Sequence, residues 1–153
     1  MRYLMGTAFL IVLVFLAYPY TRMYQIDSAL ATNDVNALKP YVDLDEVREA
    51  NKKSINQQLD RTTAVVGENK MTDMLRKGVN MIGGAAVDEV IDLAWVRDTL
   101  KEEGKGDLLK NASFSFFESP TRFVIRIGEL GNNPRFIQFT LQDWDWRITA
   151  IYL

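Results

Sequence analysis

An eighteen-residue run without a charge, Tyr3 to Tyr20 (YLMGTAFLIVLVFLAYPY), constrains this chain more than any other feature. As a helix it would rise about 27 Å, close to the roughly 30 Å hydrocarbon core of a bilayer. Leu, Ile, Val and Phe dominate Leu10 to Leu16 and favour insertion, while Tyr3, Tyr18 and Tyr20 stand at the two ends, where amphipathic rings prefer headgroups. A cleaved signal peptide is the rival reading, with Arg2 as a short basic flank. The place for a cleavage site, however, reads Phe15-Leu16-Ala17-Tyr18-Pro19, poor in small residues. The chain has no cysteine, so it is not a lipoprotein. A buried core helix is the third reading. A retained anchor over 1–20 is the expectation, with the lipid bilayer as partner through residues 3–20. Arg2 and the α-amino group favour a cytoplasmic N-terminus, against the opposing vote of Arg22, and so put the remainder in a periplasm.

Residues 21–153 are long enough for one domain and not two. The formal net charge of −2 supplies no overall cationic surface for a phosphate backbone, which argues against nucleic acid. The absence of both Cys and His matters more. It removes the usual zinc sites, thiol nucleophiles, Ser-His-Asp triads and histidine bases together. No cofactor is expected, and no enzyme.

The first part of the domain, 21–104, has helical rhythm. Tyr20, Met23, Tyr24, Leu30 and Ala31 continue the apolar run as a helix, interrupted in pattern by Asp27. Asn33-Asp34 ends it and Asp34 caps a short turn, Val35 to Lys39, stopped by Pro40, after which Tyr41-Val42 is extended. Asp43-Leu44-Asp45-Glu46 is a capping box for a helix through Leu59. Arg48, Lys52 and Lys53 give that helix a basic face, read as solvated rather than lipid-facing. A connection with Gly67 follows. Met71, Met74, Leu75, Val79 and Ile82 predict another amphipathic helix, with a hinge or close contact at Gly83 to Ala86. Val87 to Leu100 keeps the helical period, with Asp92 capping a last helix to Glu103 that Gly104 and Gly106 terminate.

The period changes to two near Asn111. Runs at 113–117, 122–127, 136–141 and 146–153 are separated by turns at Glu118–Thr121, Gly128–Pro134 and Asp143–Asp145, the pattern of an antiparallel meander. Phe123, Ile125 and Ile127 are predicted to face the helices, with Arg122 and Arg126 outward. Ile137, Phe139 and Leu141 form the inward set of the third run, and Trp146, Ile148 and Ala150, or their alternates, that of the fourth. Helices first and strands after give an α+β fold, with several helices on one face of a four-stranded sheet over 111–153. The expected architecture is a cystatin-like or nuclear-transport-factor-like cone.

Pro19-Tyr20, Met23-Tyr24-Gln25, Ala29-Leu30, Asn33-Asp34, Ala37-Leu38, Tyr41-Val42-Asp43, Val47-Arg48 and Gln58-Leu59 together resemble the bacterial domain-of-unknown-function family 2939. Val90 to Leu100 and the closing Trp146 to Leu153 look like that family's last helix and final strand, so the resemblance extends over nearly the whole chain. Two departures stand out: Asn33 where glycine is common, and Asp92-Leu-Ala-Trp in place of a frequent Thr-Pro-Glu start. The resemblance implies a membrane-associated or exported bacterial protein with no assigned activity, here placed in the bacterial inner membrane as a single-pass protein.

Three functions compete. The first is a membrane-anchored periplasmic binding or interaction module, for which Tyr41, Trp95, Phe116, Arg126 and Trp146 are the candidate pocket or partner residues. Trp144 belongs to the same aromatic set, and plain packing is the competing explanation for each aromatic. A membrane protein or a small apolar ligand are the candidate partners. The second is an accessory subunit of a membrane complex, although Gly6 to Ala17 holds no GxxxG pair. The third is a small pocket enzyme with Asp43 or Asp92 as base, both better explained as helix caps. Arg122 and Arg126 with Asp143 and Asp145 are candidates for cross-strand ion pairs of little energetic weight.

Overall fold

The computed structural model describes residues 2–32, 34–66, 84–101, 108–131 and 134–153. The Met71–Ile82 helix, Gly67, Gly83, Gly104, Gly106 and Asn33 lie outside the described residues. The apolar run becomes the first half of one helix, α1 (Arg2–Leu30), of about 44 Å at 1.5 Å per residue. Pro19 sits inside it without ending it. The helix is long and apolar enough to cross a membrane or to act as a signal anchor, with mean hydropathy 1.8. Its two halves differ in what surrounds them. Leu4, Met5, Phe9, Leu10, Ile11 and Val14 are exposed, whereas Met23, Ile26, Ala29 and Leu30 are buried in the core.

A short 3-10 segment, Val35–Tyr41, follows. The Asp34 carboxylate accepts from the Asn36 N–H at 2.9 Å, and the segment runs through Pro40 to Tyr41, so Pro40 does not stop it and Tyr41 is not extended as its sequence suggests. Val42 is extended and forms an isolated parallel bridge with Ile148, while the Asp43 N–H donates to the Ile148 carbonyl at 2.9 Å. Helix α2 (Leu44–Val66) then starts as the capping box requires, with the Glu46 N–H on Asp43 Oδ1 at 3.2 Å. It continues past Leu59, since Thr62 to Val66 contains no breaker before Gly67. Residues 84–90 are helical (α3). Asp92 caps α4 (Leu93–Leu100), accepting from the Trp95 N–H at 2.7 Å, and Val96 and Leu100 are its buried residues.

A short helix, α5 (Leu108–Asn111), leads into the sheet: β1 (Ala112–Ser119), β2 (Arg122–Ile127), β3 (Arg135–Gln142) and β4 (Asp145–Tyr152). The order is β1-β2-β3-β4 and every pairing is antiparallel. This is the meander and the α+β layout that the two periods predict. Phe123, Ile125, Ile127, Ile137 and Phe139 are buried and Leu141 packs against the core, so the inward sets of β2 and β3 follow strict alternation. In β4 the inward set is Trp146, Ile148 and then Ile151. A register shift at Gln138/Phe139 inserts an extra residue opposite β3, so the period of two slips there and Ala150 turns to the other face. Between α2 and that other face lies a groove of about 430 Å³ lined by Lys53, Gln57, Arg122, Gln138 and Thr149 among others. Thus α1 covers one side of the sheet, and α2 passes β4 to reach the other.

The basic side of α2 is tied down by neighbours. The Arg48 guanidinium donates to the Ile91 carbonyl at 2.9 Å and Lys52 pairs with Asp88 at 2.8 Å, which links α2 to the α3–α4 junction.

Candidate functional site

The junction where α1 meets the sheet holds a polar cluster built from elements far apart in sequence. Phe15 enters the core first, with ring centroids 6.4 Å from Phe117 and 6.3 Å from Trp146. One turn on, the Tyr18 hydroxyl donates to Asp145 Oδ1 at 3.0 Å. Arg22, a further turn along the same face, pairs with the same carboxylate and donates to the Tyr18 hydroxyl at 3.2 Å. The 3.6-residue period places 15, 18 and 22 in one stripe, and a chain that leaves β3 through a two-residue turn brings Asp145 to it. The Arg22 guanidinium carbon lies 5.6 Å from the Tyr18 ring centre and 5.8 Å from that of Tyr41. The Tyr18 hydrogen bond and the Arg22 charge, working against partial burial, hold the Asp145 carboxyl below its usual range. Chemically the cluster is a clamp in which the Asp145 carboxylate is paired and Arg22 Nε alone finds no acceptor among the described residues. It offers no unpaired base.

The five candidate residues fall in four places. Tyr41 joins the clamp as a ring beneath Arg22 and is half-buried. Trp146 is 0 % exposed and belongs to the core between Phe15 and Phe117; its indole N–H finds no acceptor among the described residues. Trp95 lines an open depression of about 560 Å³ with Asp98, Thr99, Arg135 and Leu153, where Arg135 Nη1 is already bonded to the Thr99 carbonyl at 2.7 Å. Phe116 and Arg126 do come together, on the side of the sheet away from α1. Phe116 packs on Phe114 at 5.6 Å between ring centres, and Arg126 lies over Phe114 at 5.6 Å while donating to Ser113 Oγ at 3.0 Å.

One sequence expectation is corrected here, and the two cap assignments are met. Asp145 does not pair across strands with Arg122 or Arg126: its partner is Arg22 of α1, and Arg122 bonds Glu118 at 3.2 Å instead. Asp43 and Asp92 both work as caps, and Asp43 Oδ2 additionally accepts from Gln142 at 3.0 Å. No group of three or more Asp or Glu side chains converges as a metal site among the described residues.

Sequence reasoning missed Asp27 and Arg22. Asp27 accepts from the Leu108 N–H at 2.6 Å and the Leu109 N–H at 3.2 Å, so it caps α5 from 81 residues away. The signal was present: a lone carboxylate on the apolar side of a helix needs donors.

No curated protein and no solved structure matches this chain. A family does, over residues 8–112, which reach from the exposed half of α1 to the first residue of β1 and leave the rest of the sheet outside the match. With more than half its length in that match, the chain belongs to the family described as protein of unknown function DUF2939.

Proposed function

We propose that this chain is a single-pass, membrane-anchored binding or interaction module of a bacterial inner membrane, with α1 as its anchor and the remainder on the periplasmic side. The observation that carries the reading is the asymmetry of α1. Its first half exposes a continuous set of large apolar side chains to whatever surrounds it, and the same helix then supplies Met23, Ile26 and Leu30 to the core. Exposure of this extent is costly in water and favourable in lipid. Two surfaces serve as the binding face: the Phe114–Phe116–Arg126 patch for a protein partner, and the Trp95 depression for a small ligand. The volume of the depression is in the range of ligand clefts, about 300–1,000 Å³. No reaction is assigned; a chain without His or Cys supports binding better than catalysis.

The test is purification of the full chain in mild detergent, followed by native mass spectrometry, alongside alkaline carbonate extraction of membranes. The expected outcome is a carbonate-resistant protein whose mass includes residues 1–20, carrying a stoichiometric partner or ligand. Release by carbonate, or a mature mass lacking the apolar segment, overturns the anchor.

A further inference from the structure

We infer that Trp144 is a second membrane contact, its indole seated in the headgroup layer beside the point where α1 leaves the bilayer. The inference rests on the anchor reading above.

Trp144 is conspicuous first for its backbone. The β3–β4 connection has Gln142 opposite Asp145, with Asp143 at φ 49° and Trp144 at φ 66° as its two central residues. A two-residue hairpin with both central residues at positive φ is the turn that favours Asn-Gly or Asp-Gly. The left-handed region disfavours a bulky side chain. Here the position normally given to glycine holds the largest side chain there is. It is also 83 % exposed, so within the chain the indole contributes almost no burial in return. A residue that strains its turn and packs on nothing nearby needs a partner outside the chain.

The place of the turn says which partner. The hairpins 119–122 and 142–145 lie at one end of the sheet, tied together by the Leu141 N–H on the Thr121 carbonyl at 2.9 Å. Phe15 of α1 touches Phe117 and Trp146, the residues next to those hairpins, and Tyr18 bonds Asp145, the neighbour of Trp144. Further along, Asp27 reaches α5, which feeds the start of β1 at the opposite end. The exposed half of α1 therefore projects past the hairpin end and not the other.

Distance completes the argument. From Tyr3 to Tyr18 the helix rises about 22 Å, short of the roughly 30 Å hydrocarbon layer. With Tyr3 at one interface, the other interface meets the hairpin end of the sheet, whether the bilayer thins or the hairpins settle into the headgroups. A ring with an apolar body and one N–H donor suits that layer. Arg22 is tolerated at the same level because its charge is paired with Asp145 and its terminal nitrogens bond Tyr18 and Gln25, leaving only Nε without an acceptor among the described residues. The adjacent Asp143 carboxylate makes this a contact driven by the indole and not by anionic lipid, so a zwitterionic bilayer suffices.

The experiment reconstitutes the full chain into phosphatidylcholine vesicles, with and without bromine on the acyl chain near the headgroup, and compares tryptophan emission with that of Trp144→Phe. Brominated lipid is expected to quench a component of the wild-type emission that Trp144→Phe lacks. An indole moved to the far end of the sheet, Leu130→Trp in the Trp144→Phe background, is expected to stay unquenched; Leu130 is exposed and carries no core role. Equal quenching of wild type and Trp144→Phe, or quenching of the far-end indole, overturns the contact. If both proteins resist carbonate while that happens, the anchor stands and only the second contact falls. Release of both by carbonate overturns the anchor and the contact together.

Discussion

The two halves of α1 share one backbone, yet they belong to different environments. Tyr3 to Val14 presents apolar side chains all round, and they are exposed. From Phe15 onward the buried or half-buried residues 15, 19, 23, 26 and 30 fall on one stripe that meets the sheet, with Leu16, Tyr20, Tyr24, Gln25 and Ser28 exposed. An all-round apolar helix and an amphipathic one differ in pattern as well as in hydropathy. Thr21, Arg22, Gln25, Asp27 and Ser28 all fall in the second half, and the stripe marks where the helix changes environment.

That difference can be attacked from either side. The largest expected effect is on the docked side. Trp146→Ala should lower the unfolding free energy by about 3–5 kcal/mol, read from denaturant midpoints in detergent, while leaving carbonate resistance intact. On the exposed side, Leu10→Arg should raise the cost of insertion by about 2.5–3.5 kcal/mol and move protein from membrane to soluble fractions, with the unfolding midpoint of the folded domain unchanged. If either substitution moved both readouts equally, the helix would not be divided as described. Next in size is Asp27→Ala, which deprives two N–H groups of their acceptor and should cost about 1–2 kcal/mol. Hydrogen exchange should then speed up at Leu108 and Leu109 before it does in the sheet.

The smallest effect is a pH dependence at the boundary itself. The Asp145 carboxyl is lowered in the folded protein, so it binds its proton less readily there than in the unfolded chain. Its stabilising contribution is complete above the ordinary carboxylate value of about 3.9 and disappears as pH falls through the lowered folded value. Asp145→Asn should therefore flatten that part of the acid limb of a stability–pH curve. Unaltered acid behaviour in this variant would mean that the Tyr18–Arg22–Asp145 clamp does not couple α1 to the hairpin.

Much of this was legible because local chemistry and global fold agree. Asp34, Asp43 and Asp92 are caps by residue type and are caps in the fold. The inward faces of β2 and β3 follow from alternation alone. Legibility failed where a partner came from far along the chain. Asp27 looked like an interruption because its donors lie at Leu108 and Leu109, and the Arg22–Asp145 pair spans 123 residues. The bulge in β4 escaped for a different reason: one extra residue changes the face of every position after it, and nothing in Arg147-Ile148-Thr149-Ala150 marks where it falls. Among the candidate residues, Phe116 and Arg126 proved to be neighbours because β1 and β2 pair with Phe114 opposite Arg126, a register that neither strand states alone.

The unbroken passage of α1 from its exposed half into the core has one more consequence. A domain on a flexible tether explores a radius that grows as roughly 5–6 Å times the square root of the linker length, and so samples partners at many heights and angles. Here the linker length is zero. Tilt of the helix becomes tilt of the sheet, and rotation about its axis sweeps the Phe114–Phe116–Arg126 patch around a fixed circle. With α1 as the proposed anchor, a membrane-bound partner using that patch would search for it in the plane of the membrane, a two-dimensional search in place of a three-dimensional one.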